Sequence, residues 1–409
     1  MLGVCCHWLE EKVHVKSGKI ELINVMDERV LQLGRFKSGK YTSEQVRTSY
    51  LNNVTNLLNM LPKILKSGVK LFRISSALFP LSDQVDRSLW DNNDIKSVLR
   101  KAGDFIKSND MRVTTHPGQF CVLSSDSDKV VANAFKELSI HGWLFDEMGL
   151  EQSPKYAINI HGGKSDRSSR LIEQIKSLPN SVKKRLTLEN DESAYSVIDL
   201  LTIHKETEVP IVWDSHHHTF NDGYITPEEA FEVTTETWPK DIKPLQHLSN
   251  TEPSLIHGSF SERRKHSDMI HYVPDVQLSA LRENRVDVEV EAKLKNIAVF
   301  EMIKRFDITS LLRVFIYIKD MIKKNLKGAK VPIVGTEFQL HKTQLGVFSG
   351  FYKKVIDFTE HRLIKSINST NDKDSKNELT VLLEKYKKGL VAISWRGGFP
   401  HWLNVTKDL

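Results

Sequence analysis

Seven stretches of this chain bring a His, Asp or Glu to, or close beyond, the end of an expected β-strand. They are Thr-Thr-His116-Pro-Gly-Gln-Phe, Asn-Ile-His161-Gly-Gly-Lys, Leu-Thr-Leu-Glu189-Asn-Asp-Glu, Val-Trp-Asp214-Ser-His-His-His, Leu-Ile-His257-Gly-Ser, the nearby Arg-Lys-His266, and Val-Glu-Val-Glu291-Ala-Lys. Imidazoles and carboxylates gathered in one place suit several divalent metal ions. Burying them without partners would cost several kcal/mol each, a penalty that a bound cation removes. The densest element is Asp214-Ser215-His216-His217-His218. Residues i and i+2 of a strand share a face, and the chain turns just past the strand. Asp214 and one of the three histidines can therefore hold adjacent ions, but spacing does not choose which histidine.

Two further groups suit a polyanion. Arg263-Arg264-Lys265 beside His266 could grip phosphates, the guanidiniums making paired contacts, or be a solvated charged loop. Gln119-Phe120 places an aromatic on a loop rather than a strand face, where it could wedge into a duplex at a weak base step or pack on a neighbouring loop.

The elements that must position these residues alternate between strand and helix. Apolar runs at 2–6, 70–75, 112–115, 156–160, 185–188, 210–213, 254–256 and 286–290 read as strands. Helical spacing is expected over 45–66, 91–107, 126–148, 165–178 and 193–206, with another helix opening at Thr226-Pro-Glu-Glu and one after Ala292. Eight strands over about 300 residues, with no Gly-rich phosphate turn after the first, favour a (β/α)₈ TIM barrel over an open doubly wound sheet. Barrels of this kind build their sites at strand C-termini. Residues 1–302 are expected to form the barrel, with an irregular insert at 9–43. Residues 303–409 are expected to form a basic, mainly helical C-terminal extension. There, Ile308–Lys323, Val347–Ile367 and Leu379–Leu390 read as helices, Val331–Leu340 as extended and Asn368–Ser375 as a linker.

Composition agrees with a soluble globular protein, at 40% hydrophobic and 27% charged residues. The net charge of +6 is uneven: residues 301–409 hold 20 Lys and Arg against 11 Asp and Glu, and the rest of the chain 38 against 41. A basic extension on a slightly acidic body suits nucleic acid, or is a Lys-rich solvated surface. Three cysteines argue against a disulfide framework and for small core residues in a reducing compartment. Neither a signal peptide nor an apolar stretch long enough to span a bilayer is expected.

In order along the chain, the motifs resemble those of the UV damage endonuclease family. They include Phe72-Arg-Ile-Ser-Ser-Ala-Leu-Phe-Pro80, His116-Pro-Gly-Gln-Phe120, His161-Gly-Gly-Lys164, Leu188-Glu-Asn-Asp-Glu192, Asp214-Ser-His-His-His218, Ile256-His-Gly-Ser259, His266-Ser-Asp-Met-Ile270 and Asp287-Val-Glu-Val-Glu-Ala-Lys293. The resemblance implies a TIM-barrel DNA repair endonuclease that nicks 5′ of UV photoproducts, using two or three divalent ions, manganese above all. It implies metal ligands at His116, His161, Glu189, Asp214, His217, His257, His266 and Glu291, with His271 competing for the place of His266. Glu189, Asp214 and Glu291 are the expected catalytic carboxylates. Gln119 and Phe120 become lesion-contacting residues, with Lys164, Arg263 and Arg264 on the DNA. Three positions depart from the family pattern: Asp83 stands near an expected His and is taken as its substitute ligand, Leu255 replaces a Lys, and Val4 replaces a Tyr. A monomer acting on double-stranded DNA is expected, without membrane, in the cytoplasm or, in a eukaryote, the nucleus. Rival readings are an abasic-site endonuclease of the endonuclease IV kind, a metal-dependent sugar isomerase or epimerase on the same barrel, and a non-catalytic DNA-binding protein.

Overall fold

The computed structural model describes residues 1–13, 20–26, 28–306 and 308, then 330–333, 336–339, 377, 380, 391–396 and 399–404. The chain divides into a unit of Met1–Met302 and a unit of Ile303–Leu409. In the first, eight parallel strands close into a barrel: β1 (Leu2–Cys5), β4 (Leu71–Ile74), β5 (Arg112–Thr115), β6 (Ile158–His161), β7 (Leu186–Glu189), β8 (Ile211–Asp214), β9 (Leu245–Leu248) and β10 (Asp287–Val290). β1 closes the ring by pairing with both β10 and β4. The expected (β/α)₈ barrel is therefore present. Both faces of the strands are covered, so almost every strand residue is buried. At the closing seam Gly3 pairs with Leu71, and a Cβ on Gly3 would stand 2.5 Å from the Leu71 side chain. Any larger residue would force the buried Leu71 side chain to shift.

Helices with well-formed starts separate the strands. Ser43–Lys66, Val197–Thr207 and Pro227–Glu236 each begin with a reciprocal capping box, at Thr42/Gln45, Ser196/Asp199 and Thr226/Glu229. Their buried stripes (for example Val54, Leu57, Leu61 and Ile64) face the barrel and follow the 3.6-residue period. Among the described residues no helix is long and apolar enough to cross a membrane.

Two expectations are corrected. The insert after β1 is not wholly irregular: β2 (Leu9–Val13) and β3 (Ile20–Asn24) form an antiparallel hairpin, followed by a short helix at Leu33–Lys37. The seventh barrel strand is β9 at Leu245–Leu248, not 254–256. Pro253–Leu255 is a 3₁₀ turn, with proline in its first turn and Ile256 beyond it 55% exposed. In the second unit the described residues form two antiparallel hairpins, Lys330–Ile333 with Thr336–Gln339 and Val391–Arg396 with Phe399–Asn404. All of the first except Lys330 falls within the extended stretch expected at 331–340. The helices expected at 308–323, 347–367 and 379–390 and the linker at 368–375 lie outside the described residues, apart from Ile308 and Thr380.

Candidate metal centre

Alternation along the strands builds the barrel interior in layers. Leu71, Ala157, Val212 and Leu245 meet in an apolar cluster with Trp238. Two residues further along the same strands, and so on the same face, stand Arg73, Asn159, Asp214 and His247. The next step up reaches Ser75 on one strand and His161 on another. The interior thus passes from apolar floor to ionisable mouth within about three residues.

Glu189 ends β7 with no exposed surface. Its Oε2 lies 3.0 Å from His116 Nε2 and 4.0 Å from His161 Nε2, and accepts a hydrogen bond from Asn159 at 2.5 Å. Its Oε1 lies 3.0 Å from His247 Nδ1 and 3.4 Å from His217 Nδ1. Three donor groups follow, each with ligand atoms within 4.8 Å of one another: His116, His161 and Glu189; Glu189, Asp214 and His217; Asp214, His247 and Glu291. Glu189 is shared by the first two and Asp214 by the last two. This is a chain of sites linked by carboxylates.

The hydrogen bonding fits cations there. His116 Nδ1 is 3.1 Å from the Pro117 carbonyl, which can only accept, so the proton sits on Nδ1. The Nε2 lone pair of a neutral ring then faces a Glu189 oxygen, and two lone pairs at that distance need a proton or a cation between them. His217 Nδ1 is likewise 3.0 Å from the Asn190 carbonyl, the kind of outer contact that orients a ligating imidazole. Asp214 Oδ1 accepts the backbone N–H groups of His216 and His217 at 2.7 and 2.9 Å, while Asp214 Oδ2 and His161 Nδ1 are buried without a hydrogen-bond partner among the described residues.

Beneath the ligands Arg73 is 7% exposed. It donates to Glu289 at 2.6 Å and pairs with Glu291, and its Nη2 is 2.8 Å from His247 Nε2. Burial opposes ionisation of Glu289, yet Arg73 holds its carboxyl down to about 2. Burial also disfavours a charged His247, but Glu189 beside it pushes the imidazole up to about 10. Burial opposes ionisation of Glu189 and Glu291 too, yet both are held well below the usual carboxylate range, by His247 in the first case and Arg73 in the second. Three carboxylates, Glu189, Glu289 and Glu291, outnumber the Arg73 guanidinium and the His247 imidazole among them, a surplus of negative charge that attracts cations.

Six residues singled out in the sequence meet in these groups: His116, His161, Glu189, Asp214, His217 and Glu291. Of the three consecutive histidines, geometry brings in His217. His266 stands at the edge, its Nε2 3.7 Å from Glu291 Oε2 and its ring 6.0 Å from that of His216. His271 donates its backbone N–H to Asn250 at 2.6 Å and joins no group. His257 is exposed on the turn after Pro253–Leu255 and also joins none. Asp83 pairs with Gln84 and lies outside all three. The sequence reading missed His247, because the apolar pair and glycine around His257 imitate Ile160-His161-Gly162. It missed Arg73 and Glu289 because charged residues within strands were not read as interior.

Around the mouth, Gln119 and Phe120 are exposed, Phe120 at 78%. Lys164 pairs with Asp126, and Arg264 lies 3.3 Å from Glu192. Arg263 and Arg264 stack over Phe220 and Phe260. Gly163, two residues past His161, has φ +89°, and a Cβ there would meet Ser124 Oγ at 2.7 Å, so the loop leaving β6 needs glycine.

Comparisons with known proteins agree with this geometry. Residues 16–326 match the family described as UV-endonuclease UvdE. A UV DNA damage endonuclease of Nostoc sp. is 37% identical over 305 residues, covering 73% of this chain and 88% of that protein. One from Bacillus cereus is 29% identical over 279 residues, covering 66% and 86%. The crystal structure of SacUVDE superposes with a TM-score of 0.60 at 28% identity, covering 75% of this chain and 99% of that one.

Proposed function

This chain belongs to the UV-endonuclease UvdE family, and from that premise we propose that it is a metal-dependent nuclease that cuts duplex DNA on the 5′ side of UV photoproducts. The observation that carries the metal dependence is the sharing of the buried Glu189 and Asp214 among three donor groups. His116, His161, His217 and His247 would complete them with Glu291, and His266 would serve at the edge. Divalent ions held there, two or three per chain and manganese in our assignment, would lower the pKa of water and stabilise a departing 3′ oxygen. Glu189, Asp214 and Glu291 carry the reaction as ligating carboxylates. Asn159 holds Glu189 and Arg73 holds Glu291 in place, while the His216 and His217 backbone N–H groups hold Asp214. This assignment gives His247 the place first expected of His257, and leaves Asp83 outside the ligand set.

Lesion choice rests on deformability. A photodimer stacks poorly, so kinking the duplex and extruding the dimer cost less than in undamaged DNA. Gln119 and Phe120 would fill the opened step, with Lys164, Arg263 and Arg264 on the backbone. We assign it as a monomer working in the cytoplasm or, in a eukaryote, the nucleus. The test uses supercoiled plasmid in manganese buffer. Irradiated plasmid should be relaxed and unirradiated plasmid left intact. Equal nicking of both, or cleavage confined to abasic-site DNA, would contradict the proposal.

A further inference from the structure

Two bonds to one helix hold the turn that carries Gln119 and Phe120. Cys121 N–H donates to Gly118 O at 2.9 Å, closing a β-turn with Gln119 and Phe120 at its two corner positions. Both corners face solvent, so their side chains contribute little to fixing the turn. The bonds come from the helix Asp128–Glu147. Glu137 Oε1 accepts the Gly118 N–H at 2.8 Å, and the buried Cys121 thiol lies 3.9 Å from Ala134 O. Ala134 and Glu137 are three residues apart and lie on one helix face.

We propose that Glu137 is a positioning residue for damage recognition. By holding the Gly118 amide, its carboxylate sets the height at which Phe120 meets the duplex. The inference rests on the reading of Gln119 and Phe120 as the lesion-contacting pair. A charge-assisted bond to a backbone N–H is stronger than a neutral one. A turn ordered before binding spares the complex the cost of ordering it afterwards. Losing Glu137 should therefore weaken capture of damaged DNA while leaving the metal groups filled.

The experiment compares Glu137→Ala, Glu137→Gln, Phe120→Ala and the double variant Glu137→Ala/Phe120→Ala in the full chain. Amide hydrogen exchange over residues 118–122 should quicken in Glu137→Ala and return towards wild type in Glu137→Gln, whose amide oxygen still accepts. KM for a duplex with one photodimer should rise about tenfold in Glu137→Ala, with kcat within about twofold and manganese content unchanged. The double variant should match Phe120→Ala alone, because both changes remove the same contact. Unchanged exchange in Glu137→Ala, or additive losses in the double variant, would overturn the proposal. A wild-type KM in Phe120→Ala would instead remove the reading of Phe120, and the recognition role of Glu137 with it, while the exchange data still decide whether Glu137 holds the turn. If Glu137→Ala does not fold, Glu137→Asp withdraws the acceptor by one methylene and gives the same exchange test.

Discussion

Replacing Arg73 with methionine would leave Glu289 fully buried beside Thr114 and His247 with no guanidinium to balance it. Removing one partner of a buried ion pair costs about 3–5 kcal/mol, because the other charge is stranded. Arg73→Met should lose stability on that scale in chemical denaturation, and an unchanged midpoint would mean that Glu289 finds another partner. Glu28 offers a separate test by pH. Its side chain is 5% exposed, and burial lifts its carboxyl from 4.5 to about 7, against a hydrogen bond from Ser75. His7 Nε2 is 3.9 Å away, but burial, with Lys295 in support, holds that imidazole low, so it offers no cation. The folded pKa lies above the unfolded one. The stabilisation from protonated Glu28 is thus complete below the ordinary carboxylate range and is lost as pH rises through about 7. Glu28→Gln should match wild type at acid pH and exceed it in stability at alkaline pH. Parallel stability curves across that range would refute the assignment.

At the scale of elements, β9 and the 3₁₀ turn after it separate two histidines that look alike in sequence. His247 is fully buried within 3.0 Å of Glu189, whereas His257 is exposed. His247→Ala should lower manganese affinity in calorimetric titration, and His257→Ala should not. The reverse result would move the third donor group onto the loop. The same contrast shows what was legible. Five of the six ligand candidates could be found because each ends or directly follows a strand, and strand ends converge in a barrel. His247 could not be found that way, because it sits inside Leu245-Gln-His-Leu, where a buried Gln246 and His247 break the apolar run. Arg73 and Glu289 lay hidden for the same reason. Composition does not show that this barrel has a polar layer above its apolar floor, and the pairing of Arg73 with Glu289 and Glu291 helps make burying these groups tolerable. The choice of His217 over its two neighbours also needed the turn that follows Asp214.

At the scale of the molecule, eight strands converge so that four of them, β6 to β9, with residues just beyond β5, β8 and β10, supply the three donor groups, while the loops present an exposed aromatic turn and stacked arginines at the rim. The account stands on the claim that these groups work together on damaged DNA, and that the metal groups are indispensable. The most direct measurement uses an end-labelled duplex holding one defined cyclobutane dimer, incubated with chelator-stripped protein before and after manganese is restored. The account predicts no product without metal, and with manganese a single cut immediately 5′ of the dimer that Glu189→Gln fails to make. A cut that persists in chelator, or one that falls elsewhere than 5′ of the dimer, would contradict it.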